Sequence, residues 1–298
     1  MAARNAAPTI AASIDSVLSQ THTHLELIIV DDGSTDTTAQ FLATLNDPRI
    51  RIFQQPHSGP SAARNLALSH ARGEYIAPID ADDIWLPNKL AWQREALSRR
   101  PDAALAYGWT NFVDPQLKPL YPDDRATAEG HLLEPLLRKN FICCGSNTLM
   151  RRTAVLAAGG FDESLQAAED WELHTRLAAL HPFAAVPEVV VLYRRSPDSL
   201  SSNFLLMERN YRAASRKIFA AAPPHLRPLE SQANASFYTY LLTRTLESKS
   251  NPGKWKALPR YAALAFPGSP LFTLRVTWRF WAPPTALAAT SAWFWLGA

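Results

Sequence analysis

Apolar and polar positions alternate along the first 195 residues in two periods. Ile10, Ile14, Val17 and Leu18 recur at helical spacing, with Pro8 acceptable in a first turn. Leu25 to Val30 is a short, mostly apolar run that ends in Asp31-Asp32-Gly33-Ser34, the pattern of a buried strand entering a turn. Ser34 or Thr35 is placed to cap a helix from Asp36 to Leu45. Ile50 to Phe53 reads as a strand and Ser61 to Ala71 as a helix. Tyr75 to Ile79 reads as a strand delivering Asp80 at its end, Asn88 to Arg99 as a helix, and Ala103 to Trp109 as a strand. This alternation predicts a three-layer α/β/α sandwich with a mostly parallel sheet, whose ligands bind at the carboxyl ends of the strands. Beyond Asn203 the period is helical, broken at Pro223-Pro224, Pro252, Pro267 and Pro283-Pro284. The reading is therefore an α/β domain over 1–202 followed by a helical, basic and aromatic region over 203–298.

Composition sharpens this in three places. The chain has 298 residues, 47% of them hydrophobic, with 13 Phe, 9 Trp and 8 Tyr, so a folded chain with a substantial core is expected. A net charge of +3 carries no polyanion signature, and no nucleic-acid partner is expected. From Lys249 onward there are six Lys/Arg, no Asp/Glu and five of the Trp, the composition of a segment that lies on an anionic membrane surface, or of an ordinary basic helical subdomain. The adjacent Cys143 and Cys144 read as free thiols in a reducing cytosol. Residues 1–12 lack an apolar signal-peptide core, and no run of about 20 apolar residues appears. A cytoplasmic protein, peripheral on the inner face of the plasma membrane through residues 249–298, is the expectation.

The chemistry concentrates in Asp80-Ala81-Asp82-Asp83. Three carboxylates within four residues at a strand end repel one another unless a cation or a ligand hydroxyl relieves them. An acidic turn that only caps the next helix has the same pattern, and the string alone does not choose between the two. Around it stand Asp31-Asp32-Gly33-Ser34-Thr35-Asp36, Gly59-Pro60-Ser61-Ala62-Ala63-Arg64-Asn65, Gly73-Glu74-Tyr75-Ile76, Gly159-Gly160-Phe161-Asp162 and Glu169-Asp170-Trp171-Glu172-Leu173.

In that order and spacing these motifs resemble the inverting family 2 glycosyltransferases of GT-A fold, over about residues 5–202. The resemblance implies transfer of one sugar from a nucleotide-diphosphate sugar, a UDP-sugar by preference, to a hydroxyl of a glycan or lipid-linked acceptor in cell-envelope polysaccharide synthesis. It implies Mg²⁺ or Mn²⁺ as cofactor, held by Asp82 with Asp80, the latter also near the ribose. Asp32 would meet the uracil with Asp31 supporting its turn, Arg64 would lie by the base and diphosphate, and Asp170 would be the base that deprotonates the acceptor. Bland roles stand beside these: a structural ion pair for Arg64, a helix cap for Asp170, a first-turn residue for Asp36, core packing for Trp171. His174 receives no catalytic role.

The chain departs from the pattern twice. An apolar strand that would be central in the sheet is expected before the Ala2-Ala3-Arg4-Asn5 turn, so the first strand reads as missing and the true start as lying upstream. Ser196, after Tyr193-Arg194-Arg195, stands where a metal-binding histidine is common, and serine is a poor ligand beside imidazole. A sugar-activating nucleotidyltransferase would need a glycine-rich basic phosphate loop near the N-terminus, and the chain has none. A catalytically silent relative that binds nucleotide sugar or serves as an assembly partner is the second reading.

Overall fold

The computed structural model describes residues 1–196, 199–247 and 256–267. Its elements run, in order, β1 (Ala2–Ala3), α1 (Ile10–Leu18), β2 (Leu27–Asp32), α2 (Thr38–Leu42), β3 (Ile50–Gln55), α3 (Pro60–His70), β4 (Tyr75–Ile76), β5 (Ile84–Trp85) and α4 (Lys89–Arg99). They continue with β6 (Leu105–Val113), β7 (Pro119–Pro122), α5 (Leu133–Arg138), β8 (Leu149–Arg151), α6 (Arg152–Ala157), α7 (Glu169–Ala178), β9 (Phe183–Arg194), α8 (Phe204–Ala221), α9 (Glu230–Glu247) and α10 (Leu258–Ala265).

The α/β architecture expected from the alternation is present, in two sheets. The first is all parallel in the order β1-β2-β3. The second runs β4-β8-β6-β9-β5, with β7 on β6. Parallel pairing there is confined to β6 and β9, while β4 with β8, β8 with β6, β5 with β9 and β7 with β6 are antiparallel. A parallel partner needs a long crossover. Only residues 114–118 separate the end of β6 at Val113 from the start of β7 at Pro119, so β7 folds straight back. Ala2 bridges in parallel to Asp80 as well as pairing with Val30, so the short β1 occupies the central place between β2 and the carboxylate-bearing segment. The Met1 ammonium is buried against the Ile28 carbonyl at 2.6 Å, and burial followed by the charge of Arg64 pulls it down to about 5.

Two apolar clusters hold this unit together. Ile10, Ile14 and Val17 of α1 pack with Leu27, Ile29, Trp85, Leu97 and Val190. Leu105, Tyr107, Leu136, Met150, Val155, Phe161, Leu173, Leu177 and Phe183 form the other. Each fully buried aliphatic or aromatic side chain in them contributes about 1.5–3 kcal/mol.

The chain divides into two compact units, Met1–Arg227 and Pro228–Ala298. The first includes α8, which packs on α7 through Trp171 and Tyr211, stacked at 5.3 Å. In the second, α9 and α10 pack together through Tyr238 and Tyr261 at 5.9 Å. Among the described residues no helix is long and apolar enough to cross a membrane. Of the 249–298 segment expected at a membrane surface, only 256–267 is described, and all five of its Trp lie outside the described residues.

Candidate active site

β2 runs two residues further than its apolar run suggests, so Asp31 and Asp32 are strand residues paired with Gln54 and Gln55. Both are buried. Asp32 is saturated by the segment after β3. Its Oδ1 accepts from Gln55 Nε2 at 2.7 Å and Ser58 N–H at 2.8 Å, and its Oδ2 from Gly59 N–H at 2.9 Å and His57 Nδ1 at 2.8 Å. Burial raises the Asp32 carboxyl, but the hydrogen bonds from Gln55, Ser58, His57 and Gly59 outweigh it and hold it below the usual range. Asp31 Oδ1 accepts from Ser34 N–H at 3.1 Å. Gly33 turns at φ +69°, and a Cβ there would lie 2.8 Å from His57 N. That close approach explains the Asp-Asp-Gly string.

The next turn differs from the sequence expectation. Neither Ser34 nor Thr35 caps α2; both bond Asn5, and Asp36 takes Thr38 N–H at 2.9 Å and Ala7 N–H at 3.2 Å from outside the helix. The short polar side chains tie the first sheet's two leading turns together instead of starting a long helix.

α3 opens at Gly59, φ +97°, with Pro60 in its first turn. Its polar face staples the loop that leads to α7. Asn65 accepts from Phe161 N–H at 2.8 Å and donates to the Phe161 carbonyl at 2.9 Å, while Ser61 Oγ donates to the Leu165 carbonyl at 2.7 Å. Gly160 has φ +74°, and a Cβ there would sit 2.7 Å from Asn65 Oδ1. The Gly59–Asn65 and Gly159–Asp162 motifs are thus two halves of one contact. On the far side Asn210 accepts from Gln166 N–H at 2.9 Å, and Lys217 pairs with Asp162.

This stapling brings the acidic motifs together through Arg64. Its guanidinium, 11% exposed, donates to Asp80 Oδ1 at 2.6 Å and to Glu169 Oε1 at 2.5 Å. Burial would lower its pKa, and the charges of Asp80 and Glu169 overcome that and raise it. Arg64 is therefore an ion-pair hub between the carboxylate turn and the start of α7. Sequence reasoning placed Arg64 at the site but gave Glu169 only the part of a neighbour; its role as Arg64's partner depends on a contact 105 residues apart.

Asp82 is half-buried and pushed up to about 6, by burial first and then by Asp80. Asp83 is fully buried, its Oδ1 accepting Arg194 N–H at 3.1 Å, while Oδ2 has no hydrogen-bond partner. Burial, Asp82 and Asp80 push it well above the usual range. Arg194 also donates from Nε to the Asp82 carbonyl at 2.8 Å, locking this turn to the end of β9. Asp170 lies in the first turn of α7, which follows Ala168 in the left-handed region at φ +60°. Its Oδ1 accepts Trp171 N–H at 2.7 Å, and burial followed by Glu169 pushes it up to about 7. Trp171 is core, its indole N–H donating to the Leu136 carbonyl at 2.8 Å. His174 is buried with Nδ1 unpartnered, and burial pulls it down to about 3, so it is neutral at ordinary pH.

Among the described residues no three of His, Cys, Asp and Glu are grouped to hold a metal ion by themselves. Asp80 and Asp82 supply hard oxygen donors, and the mutual repulsion that raises Asp82 and Asp83 is what a divalent cation with a shell completed by phosphate oxygens would relieve. The Ser196 carbonyl accepts from Ser199 Oγ at 2.8 Å and Ser202 Oγ at 2.7 Å, and residues 197–198 lie outside the description. Sequence reasoning missed Gln55, His57 and Ser58, which no motif marks, and the Gly145-Ser146-Asn147 turn. There Ser146 Oγ accepts Asp80 N–H at 3.0 Å, and a Cβ on Gly145 would lie 3.8 Å from that of Asp170.

One largely buried guanidinium thus joins a carboxylate turn to an acidic helix start, on an α/β frame whose β2 ends in two aspartates. Residues 3–223 match the family described as glycosyltransferase like family 2, and the chain belongs to that family. Over 94 residues it is 45% identical to UDP-Glc:alpha-D-GlcNAc-diphosphoundecaprenol beta-1,3-glucosyltransferase WfgD of Escherichia coli, covering 31% of this chain and 37% of that protein. Over 186 residues it is 30% identical to chondroitin synthase of Pasteurella multocida, covering 61% of this chain and 18% of that one. The matched segments thus span well under half the length of these relatives. In fold it is similar to S. aureus TarS 1–349 in complex with UDP-GlcNAc, with TM-score 0.63, 16% identity, and coverage of 89% and 80% of the two chains. Mannosyltransferase PcManGT from Pyrobaculum calidifontis in complex with GDP-Man and Mn²⁺ gives TM-score 0.60, 19% identity, and coverage of 95% and 79%.

Proposed function

We propose that this protein is an inverting glycosyltransferase that moves one sugar from a nucleotide-diphosphate sugar, a UDP-sugar by preference, to a hydroxyl of a glycan or lipid-linked acceptor. The observation that carries this reading is the Asp80–Arg64–Glu169 bridge, which joins the carboxylate turn to the first turn of α7, where Asp170 lies. Relatives whose names specify UDP-Glc and a diphosphoundecaprenol acceptor, or teichuronic acid biosynthesis, support the envelope-polysaccharide setting.

In this reading the nucleoside lies at the carboxyl end of β2. Asp32 has its oxygens occupied by residues 55–59, so it would shape that wall, and Asp31 would have the acceptor capacity left for the uracil N–H. Arg64 would lie beside the diphosphate and Asp80 by the ribose. Mg²⁺ or Mn²⁺ held by Asp82 with Asp80 would neutralise charge that develops on the departing diphosphate. Asp170 would take the proton of the acceptor hydroxyl; a value near 7 lets it hold that proton transiently and release it. Inversion by single displacement requires no covalent nucleophile. Residues 249–298 would hold the protein at the anionic inner leaflet, where lipid-linked acceptors are displayed.

The deciding experiment is calorimetry of UDP-sugars with and without Mn²⁺, followed by turnover with candidate acceptors. Asp82→Ala is expected to abolish the Mn²⁺-dependent part of binding. Asp170→Asn is expected to keep the donor Kd within threefold and lower kcat by about 10²–10⁴, the span of a general base. Binding without turnover by the wild-type chain across nucleotide sugars and acceptors would favour the silent reading instead.

A further inference from the structure

Trp85, Lys89 and Gln93 form a buried polar network whose hydrogen bonds run to one another and to backbone carbonyls. Lys89 in the first turn of α4 is fully buried. Its Nζ donates to Gln93 Oε1 at 2.7 Å and to the Thr148 carbonyl at 3.1 Å, and lies 4.2 Å from the centre of the Trp85 ring. Gln93, one turn on and also fully buried, donates from Nε2 to the Asn147 carbonyl at 2.5 Å. Trp85 donates from its indole N–H to the Ser146 carbonyl at 2.9 Å. Three consecutive carbonyls, at 146, 147 and 148, are thus gripped from one side.

The other side of the same turn is anchored to β6. Asn147 accepts Gly108 N–H at 2.7 Å and donates to the Gly108 carbonyl at 2.8 Å and Thr110 Oγ1 at 3.1 Å. What the turn presents outward is functional: Ser146 Oγ receives the Asp80 N–H, and Gly145 lies against Asp170. Burying an ammonium is costly, and an apolar side chain of the same length would fill the space at less expense. Burial already pulls Lys89 down to about 7. Packing alone therefore gives no reason for a lysine here, whereas fixing carbonyls does.

Resting on the assignment of Asp80 to the donor and Asp170 to the acceptor, we propose that Lys89 and Gln93 are positioning residues that clamp the Gly145–Asn147 turn and so set Asp80 against Asp170. The clamp acts through the turn and touches no substrate.

The test uses the full chain and the substitutions Lys89→Met and Gln93→Glu; the latter keeps an acceptor for Lys89 and removes the donor to Asn147. Four quantities are measured: Tm, the calorimetric Kd for UDP with Mn²⁺, UDP release from UDP-glucose and UDP-N-acetylglucosamine, and the rate of Cys144 alkylation by N-ethylmaleimide. Cys144 is buried and adjoins the turn. Lys89→Met leaves the Thr148 carbonyl and Gln93 Oε1 without their donor, so the expectation is a modestly lower Tm with the protein still folded at the assay temperature, a UDP Kd within threefold, UDP release down at least tenfold, and alkylation at least fivefold faster. Gln93→Glu should show the same changes at smaller size. Wild-type UDP release and wild-type alkylation in Lys89→Met would overturn the clamp, as would a loss of release accounted for by the fraction unfolded at the assay temperature. Absence of UDP release in the wild type would overturn the functional reading instead, and alkylation alone would then decide the clamp. Should Lys89→Met not fold, Gln93→Glu decides by the same criteria, at least a threefold change being required.

Discussion

Asp170 shows how one carboxylate is tuned by its surroundings. Its value near 7 in the fold lies above the ordinary 3.8, because burial and Glu169 disfavour the ionised form. Two consequences have opposite signs. As a base it must be ionised, so turnover is expected to fall as pH drops through about 7, which a kcat/KM profile checks. For stability, a raised folded value penalises the ionised form; the penalty is full above pH 7 and fades as pH falls toward 4. Asp170→Asn keeps the acceptor for Trp171 N–H and removes that charge. The metal-free variant is therefore expected to melt above wild type at pH 8, with the difference shrinking by pH 5 in thermal scans. A variant less stable than wild type at pH 8 would contradict the raised value. Activity obtained at the expense of stability is a usual signature of a functional group.

The contact between α3 and the Gly159–Ala168 loop sets where Asp170 stands. Asn65 satisfies both the N–H and the carbonyl of Phe161, and Asn65→Ala leaves both without a protein partner. A loss of about 1–3 kcal/mol is expected, read as a fall in the denaturation midpoint. Gly160→Ala brings a methyl to 2.7 Å from Asn65 Oδ1 and forces φ +74° on a residue with a Cβ, so it should destabilise by at least as much. Because Arg64 sits on the same helix as Asn65, either change should also weaken UDP-sugar binding, though neither residue meets the donor in the proposed arrangement. Stability loss with unchanged donor affinity would show that the staple and the ion-pair hub are independent.

At the scale of the molecule, every residue assigned to donor, metal or base lies within Met1–Arg227. α8 belongs to that unit and packs on α7 through Tyr211 and Trp171, so a chain ended at residue 202 would strip the support from α7. A protein of residues 1–227 is expected to bind a UDP-sugar with Kd within threefold of the full chain, whereas 1–202 should lose Tm. If residues 249–298 hold the protein on membranes, the 1–227 protein should also fail to sediment with vesicles rich in anionic lipid. Sedimentation equal to the full chain would place the membrane contact elsewhere.

The periodicity of residues 10–113 was enough for α1, β3, α3, α4 and the α/β class, because each follows from which face of one segment must be buried. The strand-end position of Asp31 and Asp32 followed from an apolar run ending in an acidic turn, and the order of five motifs pointed to the family. Local pattern did not say how strands pair. β4 stops at Ile76 where Tyr75 to Ile79 had read as strand, and most of the second sheet is antiparallel, since pairing depends on where the chain returns. Nor did local pattern reveal that Asp32 is saturated by residues 55–59, that Glu169 belongs to Arg64, or that Trp171 is core. Ser34, Thr35 and Asp36 had the chemistry of a helix start and were taken by Asn5, Ala7 and Thr38. Residue type and spacing determined which groups are able to do the chemistry. Which of them meet was decided by contacts spanning up to about a hundred residues, where burial sets each carboxylate's charge and each hydrogen bond leaves one acceptor fewer for a ligand.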